Sequence, residues 1–506
     1  MQQPFCFSRS FAENSAARTC PRRRSCVKIQ TERRACARPR KKRKLVVIVL
    51  QTGLRRTDTD MTRGSVLGQL VAFSVPLLIG NIFQQLYNTA DTIVVGRFVS
   101  KEALAAVGGS AAQIVGLIVG FFVGLASGAS VIISQFYGAK NRVQLNRALH
   151  TAYAFSIIGS IFITVLGILI APWMLELMHT PQETMADALL YLRIYFAGII
   201  FVFIYNVGSS ILRAMGDSRR PLYYLIVCCI LNIVLDIVLV IVFHMGVAGV
   251  SIATIFSQGV SAVLITRALM HSDDLYQLEF RKIRFHKSAL ISLIWVGCPT
   301  GIQSVLYSVT NMLIQTFLNN LGTDTVAAWS AFGKIDSLYW MVNNAFGIAV
   351  TTFVGQNFGA GKYDRMKKSV RIGLCMGLCT ALTLTLIFYN FGTPLFRLFT
   401  SDENVVSIGM QMLYHVAPAY CLFVFIELLS GALRGTGDVV IPMLITCFGV
   451  CLLRIAWLFF IVPLAPGLNT IVLSYPVTWA ITAVMFIVYY CYQAKKWPKS
   501  SAKKTA

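Results

Sequence analysis

The chain has 506 residues, of which 56% are hydrophobic and only 13% are charged, and its formal net charge is +24. Soluble domains carry about 25% charged residues, so this composition excludes an ordinary soluble protein. Long apolar runs recur from residue 67 to residue 492. We therefore predict an all-α polytopic membrane protein, because helices satisfy their own backbone hydrogen bonds in lipid.

Membrane topology explains most of the positive charge. Lys and Arg concentrate in the first 60 residues, in the loops between apolar runs and at the C-terminus. Basic loops stay on the cytoplasmic side, so we predict that both termini are cytoplasmic and that nucleic acid is not a partner. The 13 cysteines show no CxxC or metal-ligand spacing. Neither a disulfide framework nor a metal cofactor is therefore predicted from them.

The first 60 residues differ in kind from the rest of the chain. They are rich in Arg, Lys, Ser and Cys, and the apolar run 45–50 is too short to span a membrane. We predict either that 1–60 is a disordered basic extension or that the native start is Met61. Beyond it, the predicted organisation is an N-lobe at 61–272, a cytoplasmic inter-lobe linker at 273–287, a C-lobe at 288–492 and a basic cytoplasmic tail at 493–506.

Twelve transmembrane helices are predicted from the apolar runs. They cover residues 68–98, 110–134, 148–171, 188–212, 221–243, 247–269, 288–318, 333–355, 369–391, 409–433, 442–463 and 470–492.

The two halves of this pattern repeat. Residues 134–148 match 355–369, and 209–221 match 430–442, both at an offset of 221 positions. Each half holds six spans, an even number, so both halves insert the same way up. We predict two six-helix lobes related by a pseudo-two-fold axis along the membrane normal. Such an architecture places a site between the lobes and suits alternating access.

The first span carries a polar stripe. Asn81, Gln84, Asn88 and Asp91 lie three or four residues apart and therefore share one helix face. A carboxylate at membrane depth costs about 2.5–3.5 kcal/mol, which favours a face turned to the bundle interior or to water. Pro76 lies upstream in the same span and is predicted to act as its hinge.

Three spans of the first half bring oxygen ligands to one depth. Asp91 and Asp236 each lie about seven residues, or about 10 Å, from the outer end of their span, and Thr254 lies equally deep in the sixth. Asn232 precedes Asp236 by one helical turn. Asp91, Asn232, Asp236 and Thr254 would suit Na⁺ or proton exchange. The alternative is a purely structural hydrogen-bond cluster.

The second half has no copy of this acid pair, since Asp236 corresponds to Trp457. It has Glu427 and Arg454 instead, which we expect to pair across neighbouring helices in either a structural or a functional role. Gln303, Tyr307 and Asn311 recur at every fourth position of the seventh span and are predicted to line a cavity between the lobes. The full set of candidate cavity residues is Gln84, Tyr87, Asn88, Asn206, Gln303, Tyr307, Asn311 and Glu427.

Taken together, the two six-span halves and the segments PLLIGNIFQQLYNTADTIVVGR, LRAMGDSRRP, LNIVLDIVLV and LRGTGD resemble a bacterial multidrug and toxic compound extrusion (MATE) transporter. The resemblance covers residues 65–492. It implies a V-shaped fold, no enzymatic activity and no cofactor beyond a coupling ion. It also implies cation-coupled export of organic, often cationic and amphipathic compounds across a bacterial cytoplasmic membrane.

In the family branch with an N-lobe ion site, the ligands match Asp91, Asn232, Asp236 and Thr254, and the kink-forming proline matches Pro76. The branch with an acidic residue in the seventh span is not matched. The predicted partners are membrane lipid and small organic cations or drugs, and the predicted functional unit is a monomer.

Two other functions fit the sequence less well. A flippase for a lipid-linked precursor would need a cationic central cavity, and the central spans are poor in Lys and Arg apart from Arg454. An integral-membrane enzyme is disfavoured because the six histidines are scattered. No Walker motif GxxxxGK[ST] is present, which argues against ATP as the energy source.

Overall fold

The structure is a computed structural model that describes residues 60–272 and 276–498. Almost all of the predicted basic extension, part of the predicted linker and the end of the predicted tail lie outside these residues. Within the described chain every regular element is helical. The prediction of an all-α fold is confirmed.

The first half of the described chain contains eight α-helices. They are α1 (Val66–Phe98), α2 (Lys101–Gly108), α3 (Ser110–Gly138), α4 (Arg142–Leu177), α5 (Gln182–Ala197), α6 (Ile199–Ala214), α7 (Arg219–Asp236) and α8 (Gly246–Met270). A π-helical segment, Ile237–Val242, continues α7, and a short 3-10 turn, Phe280–Lys282, precedes the second half.

The second half also contains eight α-helices. They are α9 (Lys287–Asn319), α10 (Thr323–Gly359), α11 (Tyr363–Arg397), α12 (Glu403–Val416), α13 (Tyr420–Gly435), α14 (Val440–Thr446), α15 (Leu453–Ala456) and α16 (Leu468–Lys496). A 3-10 turn, Ala417–Ala419, joins α12 to α13, and π-helical segments, Cys447–Leu452 and Trp457–Ile461, flank α15.

Local sequence signals set several helix starts. The side chains of Ser65, Ser100, Asn141 and Asp402 each accept a hydrogen bond from a backbone N–H in the first turn that follows. Such caps satisfy donors that have no partner within the helix. They place the helix ends at the polar segments between the apolar runs.

The predicted spans coincide with these helices. By length and composition, ten helices of the described chain could cross a membrane, and α5 with α6, bent by 52°, would form an eleventh. The remaining predicted span, 333–355, lies within α10. This helix is 37 residues long but is not apolar enough to be counted with the others. Several polar side chains of α10, among them Asn343, Asn344 and Thr351, face a cavity.

Two reciprocal hydrogen bonds relate the two lobes. Gln135 Nε2 donates to the backbone oxygen of Gly435 over 2.9 Å, and Gln356 Nε2 donates to that of Ala214 over 2.8 Å. Gln135 and Gln356 are 221 positions apart, as are Ala214 and Gly435. Each lobe therefore makes the same contact to the other, as the predicted pseudo-two-fold requires.

Glycines bring the lobes close at the same end. A Cβ added to Gly138 would lie 1.9 Å from the backbone oxygen of Gln356, and one added to Gly359 would lie 1.9 Å from that of Gln135. Small residues allow this backbone approach between membrane helices. All four residues lie beside the basic loops. The lobes are thus closed together at the end of the bundle that the charge pattern predicts to be cytoplasmic.

Candidate functional site

The structure brings the four predicted cation ligands together inside the N-lobe. Asp91 comes from α1, Asn232 and Asp236 from α7, and Thr254 from α8, and the other three surround the Asp91 carboxylate. Thr254 Oγ1 donates to Asp91 Oδ2 over 3.5 Å. Asn232 and Asp236 are fully buried and Thr254 is 2% exposed. We call these four residues the acid cluster.

Most polar atoms of the acid cluster have no hydrogen-bond partner among the described residues. They are Asp91 Oδ1, both carboxylate oxygens of Asp236, and both side-chain amide atoms of Asn232. Buried polar groups are normally paired, because an unpaired one is costly in a low-dielectric interior. Their convergence around Asp91 forms an oxygen-rich donor set that suits a hard cation or a shared proton.

The surroundings of the acid cluster are aromatic rather than basic. Tyr87 of α1 and Tyr191 of α5 both lie near Asp91, and Tyr191 stacks on Tyr195 with ring centroids 6.0 Å apart. In the part of the chain that the structure describes, neither Asp91 nor Asp236 forms an ion pair with Lys, Arg or His. Tyr191 and Tyr195 were not predicted from the sequence, although they lie four residues apart on α5 and therefore share a helix face.

A cavity of about 560 Å³ lies between the lobes. Four of the eight predicted cavity residues line it, namely Gln303, Tyr307, Asn311 and Glu427. Both lobes contribute walls, with Ser210 of α6 on one side and Trp340 of α10 on the other. We call this space the inter-lobe cavity.

The other four predicted residues do not line the inter-lobe cavity. Gln84 and Asn88 are exposed on α1, and Tyr87 lies beside Asp91. Asn206 lines a different, smaller cavity, and its side-chain amide donates to the backbone oxygen of Val202 over 2.8 Å. Four expected positions therefore lie elsewhere than predicted.

Two predictions about charges in this region were wrong. Glu427 pairs with Arg434, over 3.2 Å, and not with Arg454. Both residues of the pair lie on α13, seven positions apart, so they share a face after two turns. The expectation that only Arg454 brings positive charge to the centre also fails. Arg213 and Arg434 line the inter-lobe cavity as well.

A further carboxylate inside the membrane domain, that of Asp336, was not predicted from the sequence. Asp336 of α10 accepts hydrogen bonds from the Tyr420 hydroxyl over 2.5 Å and from Trp340 Nε1 over 2.6 Å. Asp336 and Trp340 are four residues apart, a spacing that puts them on one helix face. Unlike the acid cluster, this carboxylate is held by protein donors.

A helical membrane protein with two repeated lobes, a cavity between them and unpaired carboxylates in one lobe has the build of a secondary transporter. The sequence model of the MatE family matches residues 76–238 and 299–460, one stretch in each half. The chain belongs to this family, the multidrug and toxic compound extrusion transporters. The family resemblance predicted from its motifs is confirmed.

Curated relatives and a solved structure agree. The chain is 28% identical to the probable multidrug resistance protein YoeA of Bacillus subtilis, covering 86% of this chain and 96% of YoeA. It is 30% identical to YpnP of the same organism, covering 78% of this chain and 88% of YpnP. A transporter of the MOP superfamily from Pyrococcus furiosus matches with a TM-score of 0.82 at 22% identity, covering 88% and 99% of the two chains.

Proposed function

We propose that this protein exports organic compounds from a bacterial cell in exchange for Na⁺ or H⁺, and that the coupling cation binds the acid cluster. The observation that carries the proposal is the group of buried, unpartnered carboxylate and amide atoms in the N-lobe. No resident cofactor is needed for this activity. The coupling ion acts as a co-transported substrate.

The contact between the lobes supports alternating access. Gln135, Gln356 and the glycines beside them hold the lobes together at the end that carries the basic loops. With that end cytoplasmic and the protein in the cytoplasmic membrane, this is an outward-facing state. Inward opening would break both reciprocal hydrogen bonds and separate the glycine contacts. We propose that a single chain, surrounded by lipid, performs the whole cycle.

The cation must bind the two states with different affinity, because a ligand shifts an equilibrium only by its differential affinity. The acid cluster joins α1 to α7 and α8, so cation binding would draw these helices together. Pro76 lies within α1 and is buried. We propose that α1 bends there when the cluster is filled, which would change the N-lobe wall and release the substrate.

The substrates that we propose are amphipathic aromatic compounds. Trp340, Phe423, Tyr475 and Trp479 lie on the wall of the inter-lobe cavity, and such side chains stack on flat organic rings. The family resemblance implies that many of these compounds are cationic. The stacking surface itself accepts flat rings of either charge.

The test is gradient-driven dye transport in proteoliposomes, with a Na⁺ gradient and a proton gradient imposed separately. The probes are rhodamine 6G, a cation, and fluorescein, an anion. We expect Asp91→Asn and Asp236→Asn to abolish gradient-driven transport while protein yield is kept. Asp324→Asn is the matched control, since Asp324 is exposed in the first turn of α10. Wild-type transport rates in Asp91→Asn would refute the assignment of the coupling site.

A flippase for a lipid-linked precursor is the second candidate, and the arginines of the inter-lobe cavity are the observation that favours it. The family match argues for export of soluble compounds instead. The flippase would be preferred if neither dye moves under any cation gradient while an isoprenoid-linked diphosphate crosses the same proteoliposomes.

A further inference from the structure

The charges on the inter-lobe cavity do not suit a simple organic cation. Three arginines, Arg213, Arg434 and Arg454, and one acid, Glu427, line it. Glu427 is engaged by Arg434. The one carboxylate on the wall is therefore already paired, and two guanidinium groups are left without an acidic partner among the described residues.

Arg454 is the more deeply placed of these two. It lies on α15, in the middle of the eleventh span, and is 2% exposed. Its Nη2 donates to Thr478 Oγ1 over 3.1 Å, and its Nε has no hydrogen-bond partner in the described structure. A buried guanidinium within a membrane span is costly unless an anion or several hydrogen bonds compensate it.

Aromatic rings surround this guanidinium. Its central carbon lies 3.9 Å from the centroid of the Tyr475 ring and 5.9 Å from that of Trp479. Cation–π contacts of this kind hold a guanidinium in place while its N–H groups stay directed at other acceptors. Trp479 in turn packs edge-on against Phe423, with centroids 5.1 Å apart. A charged donor is thus fixed beside several flat apolar surfaces.

The opposite wall also carries a guanidinium. Arg213, at the end of α6, donates from Nη2 to Ser210 Oγ over 3.0 Å. It forms no ion pair with a carboxylate in the described chain. Both lobes therefore present positive charge to the space between them, and a monocationic compound would meet repulsion from either side.

We propose that the inter-lobe cavity takes organic molecules in which an anionic group, such as a carboxylate, sulfonate or phosphate, is attached to a flat aromatic system. Arg454 contacts the anionic group, because a guanidinium offers a planar fork of N–H donors to such groups. Tyr475, Trp479 and Phe423 contact the ring system. This inference rests on the export function proposed above and narrows its substrate class.

The test compares two dyes that share one xanthene scaffold, fluorescein as the anion and rhodamine 6G as the cation. Binding to the purified, detergent-solubilised full chain is measured by fluorescence anisotropy, with no ion gradient. We expect fluorescein to bind more tightly than rhodamine 6G. Arg454→Gln should weaken fluorescein binding at least tenfold and leave rhodamine 6G unchanged or tighter. Arg454→Lys should recover part of the loss, since it keeps the charge but not the fork.

The matched control is Arg142→Gln, which removes one positive charge from the exposed first turn of α4. It should change neither dye. The proposal is overturned if rhodamine 6G binds wild type tenfold tighter than fluorescein, or if Arg454→Gln affects both dyes equally or neither. Gel filtration and thermal melting establish that each variant is folded. If Arg454→Gln does not fold, Arg213→Gln is judged by the same outcomes.

The same dyes separate this proposal from the export function. Gradient-driven export of rhodamine 6G without fluorescein would leave antiport intact and overturn the anionic substrate class. If fluorescein binding depends on Arg454 but neither dye moves under a gradient, the anionic substrate class stands and the antiport proposal is overturned. Asp91→Asn should lose export but keep fluorescein binding, because Asp91 does not line the inter-lobe cavity.

Discussion

In the N-lobe, Asp236 ends α7 and faces Thr254 of α8 across the Asp91 carboxylate. At an offset of 221 positions, the C-lobe has Trp457 in place of Asp236 and Tyr475 in place of Thr254. Its charged group is Arg454, which lies over the ring of Tyr475. Equivalent helices thus carry unpaired carboxylates in one lobe and an unpaired guanidinium in the other.

Parts of the backbone plan, by contrast, are repeated in both lobes. A π-helical segment follows Asp236 at Ile237–Val242, and another begins at Trp457. The turns after α6 and α13 both use a glycine of positive φ, Gly216 at +92° and Gly437 at +90°. Duplication therefore preserved the frame while the buried charges diverged. A cation that bound only the N-lobe would change the conformation of that lobe alone.

The largest loss of transport is expected from changes at the contact that each lobe makes in the same way to the other. Gly138→Ala and Gly359→Ala each place a methyl group 1.9 Å from a backbone oxygen of the opposite lobe, and a backbone atom cannot rotate away. Both variants should prevent closure and lower gradient-driven dye transport more than tenfold. Hydrogen–deuterium exchange of residues 134–141 and 355–362 should rise in both.

Two glycines on the same helices serve as controls for this prediction. A Cβ added to Gly116 of α3 or Gly333 of α10 meets nothing within 4 Å, so alanine there should leave transport and exchange unchanged. If only one of the two contact variants loses transport, the reciprocal contact does not work as a symmetrical pair. Normal transport in both would exclude closure at this end as a required step.

Much of the helix arrangement and its pseudo-two-fold symmetry could be predicted from the sequence. Helical rise and period are fixed, so counting residues from the span ends placed Asp91, Asp236 and Thr254 at one depth, where the structure brings them together. The repeated segments around Gln135 and Gln356 predicted the pseudo-two-fold, since equivalent residues must make equivalent contacts.

The inter-lobe cavity could not be predicted as fully. Arg213 and Arg434 lie at helix ends in the sequence, and only tertiary packing shows that their long side chains reach inward. Asn206 and Glu427 are equivalent in the repeat, yet one bonds to its own helix and the other lines the cavity. Helical periodicity predicts which face of the helix a residue lies on. The residues that this face contacts depend on how the two lobes pack together.

A smaller effect is expected on the cation concentration that transport requires, and it should differ between equivalent changes in the two lobes. Thr254→Val removes a hydroxyl from the acid cluster without changing its shape much. A hydrogen bond to a charged group contributes about 1.5–3 kcal/mol, so the cation concentration for half-maximal transport should rise about tenfold or more. Tyr475→Phe, at the equivalent place in the C-lobe, should leave that concentration unchanged. Equal shifts in both variants would mean that the coupling site is not confined to the N-lobe.

The smallest effect concerns stability, and we expect a loss of stability from the carboxylate change in the C-lobe but not from the one in the N-lobe. Asp336 is held by Tyr420 and Trp340, so Asp336→Asn weakens two charge-assisted hydrogen bonds and should cost about 1–3 kcal/mol. Asp236 has two unpartnered oxygens, so Asp236→Asn replaces a buried carboxyl group that no protein donor holds and should not lower the melting temperature at low Na⁺ and neutral pH. Thermal melting of both purified variants, with and without Na⁺, measures this contrast. A fall in melting temperature for Asp236→Asn equal to that for Asp336→Asn would show that the N-lobe acids are structural. The proposed difference in function between the acids of the two lobes would then be wrong.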